Sequence, residues 1–175
     1  SPENLWRETL SLYPNNTRAL NSLALLMSEG GEPAQARELY ERVLSRRPDD
    51  EVALANLGAL YARDDVPFFD AQRAQALLKK SASLGAPSAV TFFNLGFLSQ
   101  RGSRWLEAEG WYRKALEIAP KDVPSMNNLG IALLGLERLP EAEHWFRRAL
   151  EVDPSHESAA RNLRLVRRVL SGTRD

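Results

Sequence analysis

Apolar and small residues recur along this chain at intervals of three and four, the spacing that gathers them on one face of a helix. The pattern is clearest from Val123 to His156. There Met126, Leu129, Gly130 and Leu133 stand at i, i+3, i+4 and i+7, and Ala142, Phe146 and Ala149 mark a second segment of the same kind. The spacing predicts two helices. Pro140 suits the first turn of the second helix because proline has no N–H to leave unsatisfied, and Pro33 holds the same place near the chain's start. Pro48, Pro120 and Pro154 each stop such a segment, since proline cannot continue the hydrogen-bond ladder, while Gly30 and Gly31 end another.

The segment repeats. Ala142, Phe146, Ala149 and Pro154 are matched by Ala108, Tyr112, Ala115 and Pro120, and Asn128, Leu129 and Gly130 by Asn94, Leu95 and Gly96, each 34 residues earlier. Upstream, Ala36, Tyr40, Val43 and Pro48 repeat the second half, and Leu20, Leu23 and Ala24 the first. Asn56, Leu57 and Gly58 open a further unit, closed by Ala74, Leu78 and Ser81. The division this predicts is a half repeat over 1–16, full units over 17–50, 51–88, 89–122 and 123–156, and a terminal capping helix and tail over 157–175. The 51–88 unit is four residues longer than its neighbours, and the excess falls between Asp64 and Asp70. The leading half unit predicts a chain that begins inside a longer array, with Leu5, Trp6, Leu10, Leu12 and Tyr13 forming an uncovered apolar edge open to self-association. Phe68 and Phe69, in the lengthened turn, either tuck against a helix or form a second contact surface.

A glycine inside a helix costs about 1 kcal/mol relative to alanine, yet Gly58, Gly96 and Gly130 share one position, with Ala24 in the fourth unit. That predicts close approach of the paired helix, with Ala36, Ala74, Ala108 and Ala142 making the reciprocal allowance and Tyr40, Tyr112 or Phe146 filling the wider part of the contact.

Composition narrows the class of function. The 175 residues are 43% hydrophobic and 26% charged, and Lys plus Arg equals Asp plus Glu at 23 each. No strong field for nucleic acid or an anionic membrane is expected from a balanced charge. The absence of cysteine removes disulfides, thiolate metal sites and a cysteine nucleophile, and is compatible with either redox environment. Apolar runs such as 131–136 are too short to cross a bilayer, and SPENLWRE at the start lacks a basic region followed by an apolar one. Localisation stays open. No nucleophile–base set and no phosphate-cradling glycine loop can be assembled, so no catalysis and no cofactor are expected.

The recurring large apolar residue, Leu and Gly, then Ala, aromatic, Ala and Pro resemble the tetratricopeptide repeat (TPR) family over nearly the whole chain. In the 51–88 unit, LGALY with Val66, Asp70, Ala74, Lys80 to Ala82 and Gly85 looks more like the related Sel1-type repeat. The resemblance implies an all-α fold, a right-handed α-solenoid of antiparallel helix pairs, whose first helices line a concave groove.

At about 100° per residue, the face of each first helix opposite its buried stripe reads Asn21, Ser22, Leu25; Ala55, Asn56, Ala59; Phe93, Asn94, Phe97; Asn127, Asn128, Ile131; Arg161, Asn162, Leu165. An apolar centre bordered by Asn suits an extended peptide, because a carboxamide both donates to and accepts from backbone. Similar ladders occur in the repeat arm of the O-linked N-acetylglucosamine transferases. The alternative is that these Asn bond a neighbouring helix or water. The candidate peptide-binding residues are Asn56, Phe93, Asn94, Phe97, Arg101, Asn127, Asn128 and Ile131, with Phe93 and Phe97 as the apolar anchor. Arg18, Arg63 and Arg101 lie near the groove edge. The clamp by which some family members hold a terminal carboxylate is not expected, because Val52, Val90 and Pro124 stand where it wants charge.

His144 and His156 have no paired ligand at i+3 or i+4, so no metal site is expected. Trp105, Trp111 and Trp145 fit packing roles, and the arginines of the last helix fit the polar outer face of a cap. The expected function is a non-catalytic scaffold that binds an extended peptide segment of a partner protein, without nucleic acid and without membrane insertion. Two alternatives are a substrate-recognition arm of a larger enzyme such as a glycosyltransferase, and an assembly factor of a bacterial envelope or secretion system.

Overall fold

The computed structural model describes residues 1–85 and 88–172, and these contain ten α-helices and no strand. They form two compact units, Ser1–Pro87 and Ser88–Asp175. The first holds α1 (Pro2–Leu12), α2 (Thr17–Glu29), α3 (Pro33–Arg46), α4 (Glu51–Tyr61) and α5 (Ala71–Ser83). The second holds α6 (Ala89–Arg101), α7 (Trp105–Ile118), α8 (Val123–Gly135), α9 (Leu139–Val152) and α10 (Glu157–Ser171). Within each unit consecutive helices pack on one another, and α2 also touches α4, as α6 and α10 touch α8. The all-helical expectation holds, and each unit is a stretch of α-solenoid.

Two turn chemistries alternate along the chain. After α2, α6 and α8 come three-residue turns whose middle residues, Gly31, Ser103 and Glu137, take left-handed φ of 84°, 54° and 60°. In each turn the next N–H reaches back to a helix carbonyl, Glu32 to Met27, Arg104 to Ser99 and Arg138 to Leu133 at 2.8–2.9 Å, which satisfies a carbonyl the helix end would orphan. The second helices end differently. Tyr13, Arg47, Ala119 and Asp153 precede prolines and leave the helix with ψ of 76–94°, the extended conformation a following proline imposes. Two residues beyond those prolines a side chain caps the next helix: Asn16, Asp50 and Asp122 accept the N–H three residues on at 2.9–3.0 Å, and His156 Nδ1 accepts from Ala159 at 3.1 Å. Such a cap contributes about 1 kcal/mol.

The buried stripes predicted from periodicity are the core. In the second unit Tyr112, Met126, Leu129, Leu133, Phe146, Leu163 and Val166 pack together with Ala108, Ala142 and Ala149. Burying each large side chain contributes about 1.5–3 kcal/mol. The glycine position is tighter than the sequence reading allows, because the bulky side chain sits on the glycine itself rather than filling a wider part of the contact. A Cβ on Gly130 would stand 2.5 Å from Phe146, one on Gly96 2.7 Å from Tyr112, and one on Gly58 2.7 Å from Leu78.

The lengthened turn, 62–70, is held from both sides. Val66 is buried, and Phe68 lies edge-on to Tyr61 at 5.6 Å with the Arg37 guanidinium 4.7 Å over its ring. Arg63 pairs with Asp65 at 2.6 Å and donates to the Ser28 carbonyl at 3.3 Å, so it anchors this turn. Phe68 therefore tucks inward, whereas Phe69 is exposed.

Candidate peptide-binding face

The first helices α2, α4, α6, α8 and α10 each bury one face against their paired helix and present another. On that face Leu25 and Val52 are exposed in the first unit, and Val90 and Leu165 in the second, with Val52, Val90 and Leu165 at 54%, 52% and 54%. They occupy two repeat positions, Val52 matching Val90 and Leu25 matching Leu165.

The structure brings most of the candidate residues together on α6 and α8, while Asn56 lies on α4 in the other unit. Phe93 is half-buried, with its ring 5.9 Å from Tyr112 and packed against the core. One turn along α6, half-buried Phe97 has the Arg101 guanidinium 5.8 Å over its ring. On α8, Ile131 is half-buried beside the same core. Between α6 and α8 opens a cleft of about 210 Å³, lined by Ala89, Val90, Phe93, Asp122 and Pro124. Asp122 and Ala89 carry no mark in the apolar pattern. The signal that finds them is register, since they stand at the starts of the two helices that flank Phe93.

The asparagines divide into two kinds. Asn127 is 6% exposed, donating to Asn128 Oδ1 at 3.1 Å and accepting from Asn162 Nδ2 at 3.0 Å, so it joins α8 to α10. Asn21 donates to Asp50 at 3.0 Å and joins α2 to α4. Asn56 and Asn128 lie at the hydroxyls of Tyr40 and Tyr112, in the preceding helices. Burial pushes the Tyr40 hydroxyl up to about 12 and Tyr112 upward too, and the neighbouring Asn opposes each shift. The Tyr112 hydroxyl donates to Gln100 Oε1 at 3.1 Å, whereas the Tyr40 hydroxyl meets bonding geometry with no partner. Asn94 differs from all of these. Among the described residues its Nδ2 donates only to the Val90 carbonyl of its own helix at 2.9 Å, and its Oδ1 bonds no neighbouring helix.

Other candidate chemistry resolves into packing. Trp111 stacks on Phe92 at 5.8 Å, and Trp145 lies beneath Arg148 at 5.4 Å. Trp105 opens α7 and covers Gly135, whose Cβ would stand 2.3 Å from the indole. His144 meets Trp145 edge-on, and His156 is the cap of α10. Buried Glu109 accepts from Arg113 at 2.8 Å and Arg138 at 2.6 Å, a bridge from α7 to the start of α9. No described helix is long and apolar enough to cross a membrane.

Profiles described as tetratricopeptide repeat match residues 17–47 and 87–155. A TPR repeat-containing protein of Pseudomonas aeruginosa is 26% identical over 121 residues, which is 67% of this chain and 20% of that protein. The chain thus spans about a fifth of the length of the curated relative it matches. Among solved structures, YrrB, a TPR protein with an unusual peptide-binding site, superposes with a TM-score of 0.77 at 19% identity, over 97% of this chain and 85% of that one. MamA superposes at 0.69 and 23% identity over 87% of this chain and 81% of its own. The Cut9–Hcn1 hetero-tetramer of the APC/C gives 0.80 at 18% identity, over 94% of this chain and 32% of the chain matched. At these identities the structural likeness speaks for the fold.

Proposed function

The chain belongs to the tetratricopeptide repeat family, and on that premise we propose that it is a non-catalytic scaffold that holds an extended segment of a partner protein along the first-helix face. The observation that carries this reading is the exposed apolar row, Val90 and Leu165 with half-buried Phe93, Phe97 and Ile131, bordered by an Asn94 that serves no neighbouring helix. Phe93 and Phe97 supply the apolar anchor. Asn94 supplies an amide for the ligand's backbone, Asn128 lends only the bonding capacity that Asn127 and the Tyr112 hydroxyl leave it, and Arg101 flanks Phe97. Asn127 contributes indirectly by holding Asn128 in place, and Asn56 lies beside the Tyr40 hydroxyl on the first unit's own α4. That YrrB is a TPR protein with an unusual peptide-binding site supports looking for the ligand on a repeat surface of this kind.

The test is affinity capture with the wild type and with Phe97→Asp, with circular dichroism as the check on folding. Placing a charge at a half-buried ring that packs on the presented face is expected to abolish capture of any specific partner while the helix signal stays unchanged. Equal capture by a folded Phe97→Asp overturns the assignment. A second reading follows from the chain's share of its relative's length: a substrate-recognition arm of a larger protein, which a catalytic domain elsewhere in the full-length chain would support.

A further inference from the structure

The two units build the same corner from different residues. Where α2 meets the start of α4, Asp50 caps α4, receives the Asn21 amide at 3.0 Å and has the Arg47 guanidinium at 3.9 Å. Where α6 meets the start of α8, the matching residues are Asp122, Phe93 and Ala119. The carboxylate is kept and both groups that served it are gone. Asp122 Oδ2 still accepts the Ser125 N–H at 2.9 Å, but Oδ1 has no partner among the described residues, and no cation pairs with it. In place of the lost contacts lies the cleft of about 210 Å³ walled by Ala89, Val90, Phe93 and Pro124, with Asp122 at its edge.

We propose that this corner, an apolar cleft with an aromatic wall and an unpaired carboxylate, is a specificity pocket for a Lys or Arg side chain of the partner segment. The proposal rests on the groove reading above and adds what the groove selects. A long basic side chain has the matching parts: an aliphatic stem to lie along Val90 and Pro124, and a cationic head to meet Asp122 across the Phe93 ring. A purely apolar side chain would desolvate the carboxylate without compensation, and an acidic one would be repelled. A ring, a carboxylate and a cation group together elsewhere in the protein. In the first unit the Arg73 guanidinium sits 4.6 Å over the Tyr61 ring and 3.0 Å from Glu41, so ring, carboxylate and cation fit together on this scaffold.

Panning a phage-displayed random dodecapeptide library against the wild type tests this. Peptides that fail to bind Phe97→Asp are groove ligands, and among them a Lys or Arg at one fixed register is expected. The same peptides should bind Asp122→Asn about tenfold more weakly, the scale of one charge-assisted hydrogen bond. Asparagine caps a helix as well as aspartate does, so this variant keeps α8. Replacing the selected basic residue by norleucine should cost the wild type a similar factor and cost Asp122→Asn little. Groove ligands with no basic preference, or with equal affinity for Asp122→Asn, overturn the pocket and leave the groove reading standing. Recovery of no groove ligand overturns both.

Discussion

A glycine that a ring rests on and a glycine that faces water should answer the same substitution with opposite signs. Gly130→Ala puts a methyl within 2.5 Å of Phe146, a side chain with no exposed surface and so no free direction in which to move. The strain of overpacking, about 1–3 kcal/mol, outweighs the roughly 1 kcal/mol that alanine gains in helix propensity, so the variant should be less stable in urea. Gly110, inside α7, meets nothing within 4 Å of an added Cβ. Gly110→Ala should therefore stabilise by about 0.5–1 kcal/mol. The tyrosines that share Phe146's position make a second residue-scale test. Tyr112→Phe removes a bonded hydroxyl and should cost about 1 kcal/mol, while Tyr40→Phe removes a buried hydroxyl without a bond and should cost less or nothing. Both hydroxyls hold their protons more tightly folded than in an unfolded chain, where tyrosine titrates near about 10. Their contribution is full below that pH and falls as pH rises toward 12. Urea titrations at successive alkaline pH values should show a decline that the double Phe variant lessens.

At the scale of the element, the turns carry the variation that helix periodicity does not. Gly31, Ser103 and Glu137 share one left-handed position, and only the first is the residue that adopts it without steric cost. Glu137→Gly is expected to stabilise by about 1 kcal/mol, the cost of holding an L side chain there. At the start of α10, His156 fills a place that Asn16, Asp50 and Asp122 hold elsewhere. An aspartate would cap as well and add negative charge at the positive end of the helix dipole. His156→Asp should slow amide exchange across α10, and unchanged protection would mean the cap does not limit its opening. These features also mark how far the sequence could be read. Helix positions, prolines and the glycine stripe follow from one-dimensional spacing, and the structure agrees with them. The fate of the asparagines does not, because Asn127 is bonded to a partner 35 residues away and Asn21 to one 29 away. Asp122 was hidden for the same reason. What distinguishes it is the absence of two contacts that its counterpart Asp50 makes, and an absent contact leaves no trace in an apolar pattern.

At the scale of the molecule, the two ends of the helical series are chemically unlike, and that difference bears on self-association. The second-helix ring that rests on a glycine in the interior, Phe146 on Gly130, has its counterpart at the start of the chain in Trp6, on α1. Its glycine counterpart at the other end is Arg164 on α10, flanked by exposed Arg161 and Arg168. Seating Trp6 of one copy on α10 of another would need a glycine where a long cation stands, so head-to-tail stacking would have to displace the Arg164 side chain. Leu5, Leu12 and Tyr13 are exposed, Leu12 at 69%, beside a shallow cleft lined by Leu12, Tyr13, Pro14, Asn15 and Asn16. If only that edge is adhesive, two copies that meet through it bury it on both, and a symmetric contact of this kind closes without leaving a free end. We therefore expect sedimentation of the 175-residue chain to show a reversible monomer–dimer equilibrium with no larger species, and Leu12→Glu to hold it monomeric. Growth to trimers and beyond would show that α10 does not cap the array, and a monomer at every concentration would show that the α1 edge is not adhesive.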